Sequence, residues 1–182
     1  MAEVFADASS IILLEKAGLF DLFLSTYHVC ISKTVLDEIC NPDYPDAEQF
    51  KKYYSQGWFL VTQCGLKNQP PYSRLESCDN ELEKLGNGEK TTIRNYFYEN
   101  KGFVLVDDGP AAKYCRKYNI PFVNALLVPK LFWYAGLVKK NKYIEKTRLL
   151  ETIGRYSKSI INKAKALDKK ALTRFYPDDR KK

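Results

Sequence analysis

Acidic residues follow two apolar runs that predict buried strands. Asp7 comes directly after residues 4–6, and Asp107 and Asp108 come directly after residues 103–106. If the two runs are neighbouring parallel strands, their carboxyl ends meet at one edge of a sheet and the carboxylates converge there. Crowded carboxylates repel each other, and a divalent cation that prefers oxygen ligands relieves this repulsion. The spacing therefore predicts a site for Mg²⁺ or Mn²⁺.

Two glutamates extend this set, although each acid also has an ordinary structural interpretation. Glu38 lies inside a predicted helix, and Glu89 follows Gly86-Asn87-Gly88 in the first turn of another. An aspartate at a strand end often caps the next helix, and an acid in a first turn gains about 0.3–1 kcal/mol from the helix dipole. Glu38 alone is compatible with an ordinary solvated side chain, so the argument rests on the acids as a group.

Alternating strands and helices are predicted to position these acids. Strands are expected at 4–6, 29–31, 103–106 and 121–123, with an extended segment at 58–61. Helices are expected at 9–24 with a break at Gly18, at 33–40 capped by Ser32, and at 46–54, 88–100, 110 onward and 125–135. Prolines make residues 64–80 irregular. This alternation predicts an α/β fold with a central parallel sheet covered on both faces.

The positive charge is concentrated toward the C-terminus. Residues 1–138 contain 14 Lys/Arg and 17 Asp/Glu, a net charge of −3, whereas residues 139–182 contain 15 and 5, a net charge of +10. We therefore predict a domain at 1–138 and a basic helical tail at 139–182. Such a tail predicts a polyanionic partner, most simply nucleic acid, or is only a solvated surface.

Within the tail, apolar residues at steps of three and four predict one long amphipathic helix over 142–172. Its apolar stripe contains Leu149, Ile153, Tyr156, Ile160, Ala164, Leu167 and Ala171. Basic residues lie largely off this stripe: Arg148, Arg155, Lys158, Lys165 and Lys169. The stripe is expected to pack on the domain, or to dock a partner protein or a second copy of the chain.

Several classes of protein are disfavoured by the composition. The five cysteines form no CxxC pair and His28 is the only histidine, which disfavours a zinc site and favours a reduced, cytoplasmic location. No apolar run is long enough to span a bilayer, so no membrane partner is expected. A dehalogenase-type phosphatase would need an aspartate at position 9, where this chain has Ser9. A Walker-type phosphate loop is also absent.

The order of the acidic motifs resembles that of PIN domains, the fold of VapC-type toxins. The resemblance covers roughly residues 3–138 and is closest to a subgroup with a Gly-Glu helix start and an Asp-Asp strand end. Its motifs are VFADAS (4–9), VLDEI (35–39), LGNGEKTTI (85–93) and FVLVDD (103–108). The resemblance implies a three-layer α/β/α fold in which Asp7, Glu38, Glu89 and Asp108 are catalytic, metal-binding acids. It also implies that Ser9 supports Asp7 and that Asp107 is a further ligand or a neighbouring acid.

The function implied by this resemblance is metal-dependent cleavage of RNA, either single-stranded or structured. The protein would then be a nuclease that acts alone or the toxin of a toxin–antitoxin pair, with a small antitoxin protein as its partner. The alternative is a PIN-like module with weak catalysis that binds RNA or another protein. The aromatic run 131–134 is expected either to form a homodimer interface or to belong to the core under the C-terminal helix.

Overall fold

The central sheet has five parallel strands in the order β3-β2-β1-β4-β5. A computed structural model describes residues 1–62, 79–107 and 109–177 of the chain. The strands are β1 (Glu3–Ala6), β2 (His28–Ser32), β3 (Leu60–Thr62), β4 (Phe103–Leu105) and β5 (Phe122–Val123). In the register, Val4 of β1 pairs with Val29 of β2 on one side and with Phe103 of β4 on the other. The carboxyl end of β1 therefore lies between those of β2 and β4, which confirms the predicted parallel sheet.

The helices of the first half connect the strands. They are α1 (Ala8–Lys16), α2 (Phe20–Leu24), α3 (Lys33–Ile39), α4 (Ala47–Ser55), α5 (Asp79–Leu82) and α6 (Asn87–Glu99). Gly18, with a φ of +62°, separates α1 from α2 as predicted. The side chain of Ser32 caps α3 by accepting a hydrogen bond from the N–H of Val35. The irregular segment predicted at 64–80 lies largely outside the described residues.

The remaining helices follow β4. They are α7 (Pro110–Lys117), α8 (Val128–Tyr134), α9 (Lys140–Ile153), α10 (Lys158–Ala166) and α11 (Lys169–Leu172), with 3₁₀ turns at Ala125–Leu127 and Thr173–Phe175. Pro110 occupies the first turn of α7, where the missing N–H costs nothing. Among the described residues, no helix combines the length and the apolar character that crossing a membrane would require.

Both faces of the sheet are buried, as alternate residues of β4 show. Phe103 and Leu105 belong to a large apolar cluster on one face, whereas Val104 and Val106 belong to a smaller cluster on the other. Successive side chains of a strand point to opposite faces, so a strand that is apolar throughout needs cover on both. The three-layer α/β/α architecture is confirmed.

The prediction of one long C-terminal helix is wrong. The chain bends after α9, where Arg155 has a φ of +51°, and again between α10 and α11. A Cβ atom at Gly154 would lie 2.3 Å from the ring of Tyr156 and 2.9 Å from the carbonyl oxygen of Leu150. The bend brings the ring of Tyr156 against the backbone of Gly154. This contact leaves no room for the Cβ atom that any other residue would carry. Apolar periodicity continued through the bend and therefore concealed it.

The C-terminal helices nevertheless pack on the body of the protein. Leu150 is fully buried, and the stripe residues Leu149, Ile153, Ile160 and Leu167 pack against the large apolar cluster. The phenol of Tyr27 donates a hydrogen bond to the carbonyl of Phe175, 2.8 Å away. This extension therefore completes the core on one face of the sheet, and a domain boundary near residue 138 stays a prediction.

The aromatic run 131–134 contributes to that packing. Leu131 and Phe132 are fully buried in the large cluster. The ring of Trp133 stacks on Tyr143 of α9, with centroids 4.9 Å apart. These contacts match the interpretation of the run as core beneath the C-terminal helices.

A buried lysine of α8 forms hydrogen bonds to the end of α10. Lys130 is only 6 % exposed, and its Nζ donates hydrogen bonds to the carbonyls of Ala164 (3.0 Å) and Lys165 (2.8 Å). Burial lowers the pKa of this ammonium group. The cation lies at the C-terminus of α10, where the helix dipole and the last carbonyls favour positive charge.

We expect Lys130→Met to reduce the free energy of unfolding by about 1–2 kcal/mol, because two carbonyls lose a charged donor while the apolar stem is retained. Denaturant titration followed by circular dichroism measures this change. Lys142→Met is the control, since Lys142 is exposed on α9 and should change stability by less than about 0.5 kcal/mol. Equal effects of the two substitutions would contradict the anchoring role.

Candidate active site

Asp7 lies at the carboxyl end of β1, almost completely buried. Its N–H donates to the carbonyl of Leu105 at 3.0 Å, which continues the pairing of β1 with β4. Its side chain is 7 % exposed, and Oδ2 accepts a hydrogen bond from the hydroxyl of Ser9 at 2.7 Å. Asp7 occupies the N-cap position of α1, and the backbone N–H groups of Ala8 and Ser9 favour its ionised carboxylate. These N–H groups at the start of α1 offset only part of the effect of burial, which raises the pKa of Asp7.

Asp7 and Glu38 meet at Gly88, in the first turn of α6. A Cβ atom at Gly88 would lie 3.2 Å from Oδ1 of Asp7 and 3.2 Å from Oε2 of Glu38. Two oxygen atoms from β1 and α3 thus face the same small space, which a larger residue at position 88 would fill. The structure brings together these two predicted site residues.

Glu89 lies beside this pair but is turned toward two helix starts. Its Oε2 accepts a hydrogen bond from the N–H of Gly86 at 3.2 Å. The backbone N–H of Ala111, at the start of α7, also favours the ionised carboxylate. Glu89 therefore connects the N-termini of α6 and α7, where an acid is stabilised by both helix dipoles.

The three acids share one electrostatic environment. Glu38 is exposed on α3, and partial burial of its carboxyl raises its pKa, with the charges of Asp7 and then Glu89 raising it further. Burial also raises the pKa of Asp7, against the opposing effect of the Ser9 hydroxyl. The pKa of Glu89 is raised by burial, with the Gly86 N–H opposing this effect and the charge of Asp7 adding to it. Ionised together, these groups have no lysine or arginine counter-charge among the described residues, and a cation would supply one.

The carboxyl end of the neighbouring strand, β4, is held by a residue of the C-terminal helical region. Oδ1 of Asp107 accepts hydrogen bonds from the phenol of Tyr156 at 2.6 Å and from the N–H of Ala125 at 3.2 Å. Asp107 thus joins β4 to the turn after β5 and to the bend between α9 and α10. Asp108, predicted to be a catalytic ligand, lies outside the described residues.

The donor set fits an oxygen-binding cation in part. Asp7 and Glu38 offer carboxylate oxygens at one point, and Mg²⁺ commonly uses only one or two protein carboxylates and retains several waters. Across residues 1–62, 79–107 and 109–177, no group of three or more His, Cys, Asp or Glu side chains is arranged to hold a metal ion. The fit to Mg²⁺ or Mn²⁺ therefore rests on two carboxylates and their shared electrostatics.

Hydroxyl groups that the sequence did not reveal hold α6 over the strand ends. The hydroxyl of Thr92 donates to the carbonyl of Ala6 at 3.3 Å, and the hydroxyls of Thr91 and Ser32 are 2.8 Å apart. Asn95, which is also buried, donates from its amide to the hydroxyl of Thr62. The adjacent threonines in a helix were the only sequence signal for these contacts. Tyr156 was missed because its position on the apolar stripe predicted a core side chain.

Comparison with known families agrees with this arrangement. A family model described as PIN domain matches residues 3–169, which include all the strands and the helices up to α10. No curated protein and no solved structure shows a significant match to the chain.

Asp7→Asn should stabilise the metal-free protein near neutral pH. The buried carboxyl holds its proton more tightly in the folded state than in the unfolded state, so the folded state loses stability as pH rises above the ordinary pKa of 3.8. The gain should therefore shrink toward zero as the pH falls to that value. Thermal unfolding in EDTA over a pH series measures it.

Asp37→Asn is the matched control, because Asp37 is exposed on α3 and pairs with Lys33 outside the cluster. Mn²⁺ should stabilise the wild type and the Asp37→Asn variant but not Asp7→Asn. If Asp7→Asn unfolds the protein, the carboxylate has a structural role and the site assignment is wrong.

Tyr156→Phe should lower the free energy of unfolding by about 1–2 kcal/mol, because a hydrogen bond to a carboxylate is removed while the ring remains. Tyr176→Phe is the control: among the described residues, the buried hydroxyl of Tyr176 meets no hydrogen-bond partner. Its removal should be neutral or slightly stabilising. Denaturant titrations of both variants make the comparison, and equal losses of stability would contradict a specific role for the Tyr156–Asp107 bond.

Proposed function

The chain belongs to the PIN-domain family, and from this we propose that it is a divalent-metal-dependent endoribonuclease. PIN domains are generally nucleases, and the proposed reaction is hydrolysis of phosphodiester bonds in single-stranded or structured RNA. The observation that carries the proposal is the meeting of Asp7 and Glu38 at Gly88. The raised pKa of each carboxyl there indicates a site that gains from a counter-charge.

In this proposal the position of each acid determines its role. Asp7 and Glu38 hold the cation, and the hydrogen bond from Ser9 fixes the orientation of the Asp7 carboxylate. Glu89 adds negative charge from the start of α6, and Asp108 is the proposed fourth acid. A bound Mg²⁺ or Mn²⁺ supplies an activated water and neutralises charge on the reacting phosphate. Asp107, held by Tyr156 and Ala125, keeps the end of β4 in place.

A catalytically weak PIN-like module that binds RNA or protein is the second candidate. It is favoured by the position of Glu89, whose Oε2 is occupied by the N–H of Gly86. It is also favoured by the lack of a three-acid metal cluster among the described residues. A toxin role with an antitoxin partner, a homodimer and a cytoplasmic location stay predictions.

Cleavage assays on a labelled RNA separate the two candidates. We expect the wild type to cleave RNA with Mg²⁺ or Mn²⁺ and to stop in EDTA. Asp7→Asn and Glu38→Gln should each reduce the rate by more than about 100-fold, since supporting residues alone cost about 10–100-fold in metal sites. Asp37→Asn should cleave at the wild-type rate because its exposed side chain lies outside the cluster.

Cleavage that persists undiminished in EDTA would exclude the metal mechanism. Binding of RNA without cleavage by any metal-loaded wild-type protein would favour the weak binding module.

A further inference from the structure

A groove of about 850 Å³ lies between α7 and the C-terminal helices α10 and α11. It borders β5, the strand at one edge of the sheet. Its apolar residues include Phe122, Leu127 and Ile160. Four cations also line it, and no aspartate or glutamate does so among the described residues: the cations are Lys113, Arg116, Lys163 and Arg174. The groove is therefore both apolar and strongly basic.

The cations stand on both walls of the groove. Lys113 and Arg116 are exposed on α7, while Lys163 on α10 and Arg174 after α11 are exposed opposite them. Across the described part of the chain, no carboxylate forms an ion pair with Lys113, Lys163 or Arg174. The positive charge of these three residues, which no described carboxylate neutralises, faces a shared concavity and attracts an extended anion.

Two of these cations lie over aromatic rings. The guanidinium of Arg174 is 4.6 Å from the ring centroid of Phe175, and that of Arg116 is 5.6 Å from the centroid of Phe122. Such contacts hold a planar guanidinium group in place, with an energy of about 0.5–1 kcal/mol at exposed sites. Arginine planes and aromatic rings are surfaces on which unpaired bases stack.

The groove begins beside the acidic site. On one wall, α7 starts next to Glu89, because a Cβ atom at Gly109 would be 4.0 Å from Oε1 of that acid. On the other wall, Ser157 lines the groove directly after Tyr156, whose phenol binds Asp107. Both walls of the groove are therefore continuous along the chain with residues that contact the acids.

We propose that this groove binds single-stranded RNA adjacent to the cleavage site, with phosphates on Lys113, Lys163 and Arg174 and bases on the apolar floor. The proposal rests on the proposed nuclease function and names where the substrate extends. An acidic amphipathic peptide would also match the floor and the charge. The arginine–aromatic pairs and the continuity with the acids favour RNA, because a docked peptide requires neither.

The test compares two double variants with the same change in charge. Lys163→Glu/Arg174→Glu alters the groove, whereas Lys169→Glu/Lys170→Glu alters exposed lysines of α11 that do not line it. Fluorescence anisotropy with a labelled oligouridylate, in EDTA to prevent cleavage, gives the dissociation constant over a series of salt concentrations. Oligodeoxythymidylate of equal length tests whether the ribose matters.

We expect the groove variant to bind oligouridylate at least about tenfold more weakly at low salt. Its slope of log affinity against log salt should become shallower by about 0.7 for each phosphate that the variant no longer neutralises. The α11 variant should bind almost as the wild type does. Lys113→Glu, on the opposite wall, should show the same defect and provides a second variant if the double variant does not fold, as judged by circular dichroism.

Equal weakening by both double variants would overturn the proposal, since the tail would then act only through its total charge. Wild-type affinity in the groove variants would also overturn it, as would a changed mass in light scattering without loss of RNA binding, which would identify a protein interface. If the wild type never cleaves RNA but the groove variants lose RNA binding, the groove proposal stands and the nuclease function is rejected.

Discussion

At Gly88 the backbone of α6 approaches the end of β1 so closely that one added carbon would lie 3.2 Å from both Asp7 and Glu38. The acidic site depends on this approach, because α6 carries Glu89 and places Gly88 against Asp7, while Glu38 stays exposed. The hydroxyls of Thr91 and Thr92 maintain it through bonds to β2 and β1. Gly88 thus leaves room for the two carboxylates, and the two threonines hold α6 in this position.

The proximity of the carboxylates disfavours their ionisation, and hydrogen bonds within the fold offset this effect only in part. Burial and mutual repulsion disfavour ionised carboxylates, whereas the Ser9 hydroxyl and the N–H groups at the starts of α6 and α7 favour them. Sites that bind cations commonly keep such uncompensated charge, since a site neutralised by lysine or arginine would have no affinity left for a metal. The basic residues of this chain instead line the groove beyond the acids.

The strand ends were predictable from local sequence patterns. An apolar run followed by Asp7 indicates a buried strand and an acid at the sheet edge. Ser32 was predictable as a cap for a similar local reason. The full bend at Gly154 was less predictable, because the apolar steps of three and four continue across it and only the glycine marks the position. The bond of Tyr156 to Asp107 joins residues 49 positions apart, and no local pattern reveals such a contact.

At the amino ends of the strands, the core is closed by residues that follow α11. The ring of Phe175 lies 5.1 Å from that of Phe103 on β4, and its carbonyl accepts the phenol proton of Tyr27. A ribosome makes β1 and β4 well before it makes this cover. During synthesis, β1 and β4 therefore precede both this cover and Tyr156, whose phenol binds Asp107, so the C-terminal helices complete the packing of the sheet last.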